Sequence, residues 1–277
     1  MSSILLKVPP IGEARDRELL KDATTIAYRQ TPQGPIHAHI FQQEEAADGM
    51  LRPAFVFFHA GFWDNPMPTQ FVPHCMHFAS RGAVGIAAET RVSAKHGTGP
   101  LEAIEDARFL IAELKRNAAE FGIDPEKIIV GGAAGGAFLA LHTAMPKKLA
   151  TEDVPAPYPA AVMLFSALLD TTPGGTASER FPDSKSAKKH SPTKLLRRKL
   201  PPMILLHGKA DRITPFAEAA SFRRSMRWRG NKCELVGYDR AEHSFFNFNV
   251  STTHFDMTIA AADRFMVERG ILPPVEE

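Results

Sequence analysis

Three stretches of this 277-residue chain hold residue types that together suit acyl-transfer chemistry. Asp211 stands in LHGKADRITPF and His243 in AEHSFFNF. A carboxylate that orients an imidazole and stabilises its protonated form makes that imidazole a general base. The third stretch, KIIVGGAAGG from Lys127 to Gly136, runs from three β-branched residues into four glycines that bracket two alanines. A strand that hands over to a helix through so tight a turn can present one residue at its apex, and a serine in the pattern G-x-S-x-G would be the nucleophile. Here the pattern is Gly131-Gly132-Ala133-Ala134-Gly135, which puts Ala133 at the apex. A methyl group cannot attack a carbonyl. Taken alone, a glycine turn also suits a phosphate loop or a plain connection, so its meaning depends on the rest of the chain.

The elements that must position these residues follow from periodicity. Ala23 to Tyr28 and Ile36 to Phe41 predict two short strands joined by the turn residues Thr31 to Pro35, an antiparallel hairpin at a sheet edge. Glu44 to Arg52 predicts a polar surface loop. Further strands are expected at Phe55 to Phe58, Ala83 to Ala88, Ile128 to Val130, Ala160 to Phe165, Met203 to His207 and Glu234 to Tyr238. Helices are expected over Pro68 to Ser80, Pro100 to Phe121, Ala137 to Met145 and Phe216 to Arg229, with a last one carrying Phe255, Ile259, Ala262 and Met266. Eight strands with crossover helices predict an α/β fold, a doubly wound and mostly parallel sheet with helices on both faces. Asp211 then falls in the loop after the seventh strand and His243 in the loop after the eighth. The chain reads as one domain, 1–277, with an extension over 1–22 and an irregular lid or insert over 171–200.

In order and spacing, VFFHAGFW, VGGAAGG, LHGKADRITPF and AEHSFFNF resemble the esterase and lipase branch of the α/β-hydrolase superfamily, the branch with hormone-sensitive-lipase-like and acetyl-xylan-esterase-like enzymes. The resemblance covers residues 23 to 268. It implies the α/β-hydrolase fold, Ser-His-Asp chemistry on short acyl or acetylated-sugar esters, and no metal or organic cofactor. By position it implies Ala133 in the nucleophile's place, Asp211 as the acid and His243 as the base. The backbone N–H groups of Gly61, Phe62 and Ala134 would form the oxyanion hole, and Trp63 and Phe245 would touch substrate. The chain departs from the family pattern at Ala60 and Phe62, where glycines are usual, at Ala137, and at Glu242 and Ser244 beside His243. With Ala133 at the apex, the resemblance implies an esterase-like protein that is nearly inactive as written. The alternative is a natural pseudoenzyme, kept as a small-molecule-binding, sensor or interaction module. A third route has a water, admitted where the serine hydroxyl would stand, deprotonated by His243 without an acyl-enzyme.

Composition narrows the partners. A net charge of +2, from 33 basic and 31 acidic residues, argues against a dedicated nucleic-acid binder. No apolar run approaches the roughly 18 residues of a membrane span, and the N-terminal apolar run is too short for a signal peptide. A cytoplasmic protein acting on a small molecule is therefore expected. Cys75 and Cys233 fall on different elements and read as reduced packing residues. His74 and His77 share helical spacing but have no cysteine or carboxylate beside them, so no metal site is expected. The basic run Lys185, Lys188, Lys189, Lys194, Arg197, Arg198 and Lys199 reads as a solvated face, with attraction of an anion as its functional reading.

Overall fold

Alternation along the strands builds two cores. In β3 (Arg52–Phe58), Phe55 and Phe57 face one way while Ala54, Val56 and Phe58 face the other, and all five are buried. The same alternation, Ile128 and Val130 against Ile129, runs through β5 (Ile123–Ala134). Strands with two apolar faces need helices on both sides. In the computed structural model, described over residues 12–43, 50–147 and 158–274, that is what surrounds them. Helices α4 (Pro100–Arg116), α5 (Gly135–Ala144) and α7 (Phe216–Trp228) cover one face, while α2 (Val72–Ser80) and α8 (Thr252–Val267) cover the other.

The sheet has eight strands in the order β1-β2-β4-β3-β5-β6-β7-β8. The hairpin β1 (Thr24–Thr31) and β2 (Gly34–Phe41) is antiparallel and joins β4 (Val84–Ala88) antiparallel. From β4 onward, through β3, β5, β6 (Ala161–Ala167), β7 (Met203–Gly208) and β8 (Cys233–Tyr238), every pairing is parallel. This is the α/β-hydrolase fold. All parallel strands end on one edge, so the loops after β3, β5, β7 and β8 meet there.

Several boundaries moved, among them the helix expected to reach Phe121, which ends at Arg116. β5 begins at Ile123 and runs through Asp124-Pro125, where a turn was expected, because Ile123 pairs with Arg52 of β3. The helix expected from Pro68 begins at Val72, with Pro73 in its first turn where a missing N–H costs nothing. Helix α1 (Glu13–Leu20) precedes the sheet and α3 (Ser93–His96) follows β4; of the polar loop expected from Glu44 to Arg52, residues 44–49 lie outside the described residues, as do 1–11, and Arg52 already opens β3.

Segment 171–200 holds α6 (Ser184–His190) between two 3-10 turns, Ser178–Arg180 and Pro192–Lys194. It is packed down: Ala177, Phe181 and Ala187 are buried in the cluster that contains Trp63 and Phe138. Among the described residues no helix is long and apolar enough to cross a membrane, and no group of three metal-ligating side chains occurs.

Candidate active site

Asp211 and His243 meet as the strand order requires. His243 Nδ1 lies 2.8 Å from Asp211 Oδ2. The carboxylate side chain is fully buried and its other contacts are all donors: the N–H groups of Ile213 and Thr214 at 2.9 Å to Oδ1, and the Thr214 hydroxyl at 2.9 Å to Oδ2. Burial by itself would raise the carboxyl's pKa. The hydrogen bonds from His207, His243 and the Thr214 backbone, with the charge on His243, outweigh it and hold Asp211 well below the usual carboxylate range. An ionised carboxylate on Nδ1 leaves Nε2 of His243 as the basic nitrogen.

The loops themselves are pinned. Ser166, at the end of β6 with φ 42, donates its hydroxyl to the His243 carbonyl at 2.7 Å. The Thr214 hydroxyl lies 3.1 Å from the Ser166 carbonyl. His207 sits behind Asp211, its Nε2 N–H shared between the Thr214 carbonyl at 2.7 Å and Asp211 Oδ2 at 3.4 Å. Thr214, Ser166 and His207 were not singled out in the sequence; their spacing from Asp211 and His243 carries no pattern that would have exposed them.

The elbow is present, one residue later than the sequence pattern placed it. Ala134 has φ 47 and ψ −114, the strained backbone that a nucleophile takes at a strand-to-helix turn, and α5 starts at Gly135. Ala133 lies in ordinary strand pairing with Phe165 and its methyl is buried in the cluster containing Phe57, Phe71 and Phe165. The apex is therefore Ala134, and the operative pattern is Gly132-Ala133-Ala134-Gly135-Gly136. Glycine is required at Gly136 because a Cβ there would collide with the carbonyl oxygens of Phe58 and His59. The Ala133 assignment is thus corrected by register: side chains alternate along β5, and Ala134 stands just beyond the shift that breaks the regular β5–β6 pairing.

With the apex moved, the neighbouring backbone donor moves too, from Ala134 to Gly135. That N–H donates to the Gly61 carbonyl at 3.0 Å. Gly61 has φ 90, and the loop is tied down where Ala60 N–H donates to Gln70 Oε1 at 2.5 Å. Gln70 Nε2 in turn donates to Asn247 Oδ1 at 3.0 Å, joining the β3 loop to the His243 loop. Gln70 and Asn247 are further positioning residues that the sequence reading missed. His59 is buried, with Nδ1 2.8 Å from the Ala60 carbonyl, and burial lowers its pKa.

Trp63 and Phe245 do not form one substrate wall. Trp63 is buried edge-on to Phe138 and Phe181 on one side of the sheet. Phe245 packs against Tyr238 and Phe246 on the other. Both are core side chains of the loops that carry the site. Among the described residues no hydrogen bond joins Ser178, in the turn after residue 177, to Asp211 or His243.

The sequence profile of the prolyl oligopeptidase family matches residues 74–261. The chain belongs to that family. The α/β-hydrolase superfamily expected from the sequence stands with it. The chain is 33% identical to a thermophilic esterase of Thermogutta terrifontis solved with propionate bound, at a TM-score of 0.85 over 93% of this chain and 98% of that one. It is 34% identical to esterase 2 of the same organism phosphoramylated by tabun, with a TM-score of 0.85 over 92% and 98%. It is also 24% identical, over 80% of its length, to esterase LipQ of Mycobacterium tuberculosis, and spans 56% of that protein.

These comparisons overturn the expectation of a nearly inactive chain and its alternative, a pseudoenzyme retained for binding or interaction. The likeness runs almost end to end with an esterase solved with propionate bound and phosphoramylated by tabun, and the Asp211–His243 pair keeps the bond that orients a general base. The correction concerns activity and leaves the residues as they are: positions 133 and 134 are both alanine.

Proposed function

We propose that the chain hydrolyses esters of short acyl groups, with His243 as the general base and water as the attacking group. The observation that carries this is the 2.8 Å Asp211–His243 bond, its buried carboxylate satisfied by four donors, set on the same edge of the sheet as the Ala134 elbow. The propionate-bound and tabun-modified relatives support the substrate class. Where a serine hydroxymethyl would stand, Ala134 has only a methyl, which leaves room for the oxygen of a water. Nε2 of His243 takes that water's proton as its oxygen attacks the acyl carbon, and returns a proton to the departing alkoxide. The N–H groups of Gly61 and Phe62 would hold the carbonyl oxygen, and Gly135 N–H would join them on leaving the Gly61 carbonyl, which it now contacts at 3.0 Å.

This route forms no covalent acyl-enzyme. Stopped-flow hydrolysis of p-nitrophenyl acetate is expected to show a linear start with no burst, and paraoxon is expected to add no mass to the intact chain. A burst equal to the enzyme concentration, or a stable phosphoryl adduct, would assign the attack to a side chain instead.

A further inference from the structure

The candidate site takes up one edge of the sheet; the opposite edge, where β7 and β8 begin, carries an unrelated feature. Arg198, Lys199, Arg229 and Lys232 surround a cleft of about 400 Å³ there, which is the size of a small-molecule site. The six-residue length of β7 separates it from Asp211 by about 20 Å. Among the described residues no carboxylate lines it, and none of the four cations forms a salt bridge. Over 184–208 and 219–233 the chain has twelve lysines and arginines and no aspartate or glutamate, whereas the whole chain has 33 and 31. The small net charge conceals a segregated positive region.

The rim is built rather than draped. Asn231 is buried and bridges its two halves, donating to the Arg197 carbonyl at 2.7 Å and accepting from Leu200 N–H at 3.0 Å. Arg197 donates to the carbonyls of Arg198 and Lys199 at 3.2 and 3.3 Å, which fixes the backbone that carries both cations. Lys199 holds φ 59, a left-handed conformation unfavourable for lysine, and Gly230 holds φ 78 across the cleft. Helix α7 ends here, and one cation serves it: Arg229 donates to the Ser225 carbonyl at 3.0 Å. Among the described residues the side chains of the other three make no hydrogen bond. Like charges converging on a rigid cleft repel one another until an anion neutralises them.

We propose that this cleft binds a small multivalent anion of the phosphate class, at a site separate from the ester-hydrolysing one. Trp228, 81% exposed with the Arg229 guanidinium 5.3 Å from its ring, is a built-in reporter, since the only other tryptophan, Trp63, is buried.

The test is a titration of the full chain with phosphate, pyrophosphate and tripolyphosphate, followed by calorimetry and by tryptophan emission. Expected is saturable pyrophosphate binding with a dissociation constant of about 1 mM or tighter, weakening as NaCl is raised. The double variant K199Q/K232Q is expected to bind about tenfold more weakly while keeping its ester hydrolysis, which shows that it is folded. W228F is expected to lose the optical change and keep the heat. No saturable binding, equal binding by the double variant, or affinity that keeps climbing with polyanion length beyond what the cleft can hold would each overturn the proposal.

Discussion

The two sides of the candidate site are held by different means. On the β7–β8 side, position depends on side chains: Asp211 accepts from Ile213, Thr214 and His243, and Ser166 holds the His243 loop from behind. On the β3–β5 side it depends on backbone. Ala134 keeps an apex conformation that costs about 1 to 3 kcal/mol, and keeps it without a catalytic side chain, because glycines at 132 and 136 let the turn close against β3. An elbow is thus a property of packing, while a base–acid pair exists only as long as its own atoms do.

The sharpest way to break that contrast is to give the elbow a hydroxyl. Ala134→Ser is expected to raise ester turnover by about 10³-fold or more and to introduce an acyl-enzyme burst. Ala133→Ser is expected to gain nothing and to lose about 1 kcal/mol of stability, since its hydroxyl would be buried among phenylalanines. The reverse outcome would return the apex to residue 133.

A packing-held elbow should also fail by packing. Gly136→Ala drives a methyl into the Phe58 and His59 carbonyls, and a destabilisation of about 3 kcal/mol is expected in a urea melt. A change within error would mean that the turn has slack, and that its strain is held by something other than this close approach.

Acid should act through buried histidines away from the pair. Burial lowers His74 and His142 to about 3, from an ordinary value near 6.5. His74 is enclosed by Phe57, Phe71, Phe165 and Phe255, with neither ring nitrogen partnered; His142 has Nδ1 against the Phe138 carbonyl and, facing it, Arg108 and His190. Below pH 6.5 the unfolded chain takes up protons that these folded rings refuse, so stability falls as pH falls through that window. Each contributes about 2 kcal/mol of loss at pH 5. His74→Leu is expected to flatten the melting-temperature profile between pH 4 and 6.5, and an unchanged slope would show that His74 is hydrated in the fold.

The fold was legible because it is written in period and order. β-branched runs, proline and glycine at helix ends, and the loops that bear Asp211 and His243 all survive without knowledge of contacts. What was lost sat at the scale of one residue. GGAAGG fits G-x-x-x-G in two registers, and only the alternation of β5, with Ala133 pointing into the phenylalanine cluster, selects Ala134. Trp63 and Phe245 were grouped by type, whereas the sheet puts them on opposite faces. Gln70 and Asn247 are 177 positions apart and join two loops by a single hydrogen bond, for which no linear pattern exists.

The most direct test of the account is the initial rate of p-nitrophenyl acetate hydrolysis by the unaltered chain beside His243→Ala. A general base on water predicts a rate above buffer that falls by about hundredfold or more when the imidazole is removed. Equal rates from the two proteins, or none above buffer from either while both remain folded, would contradict it.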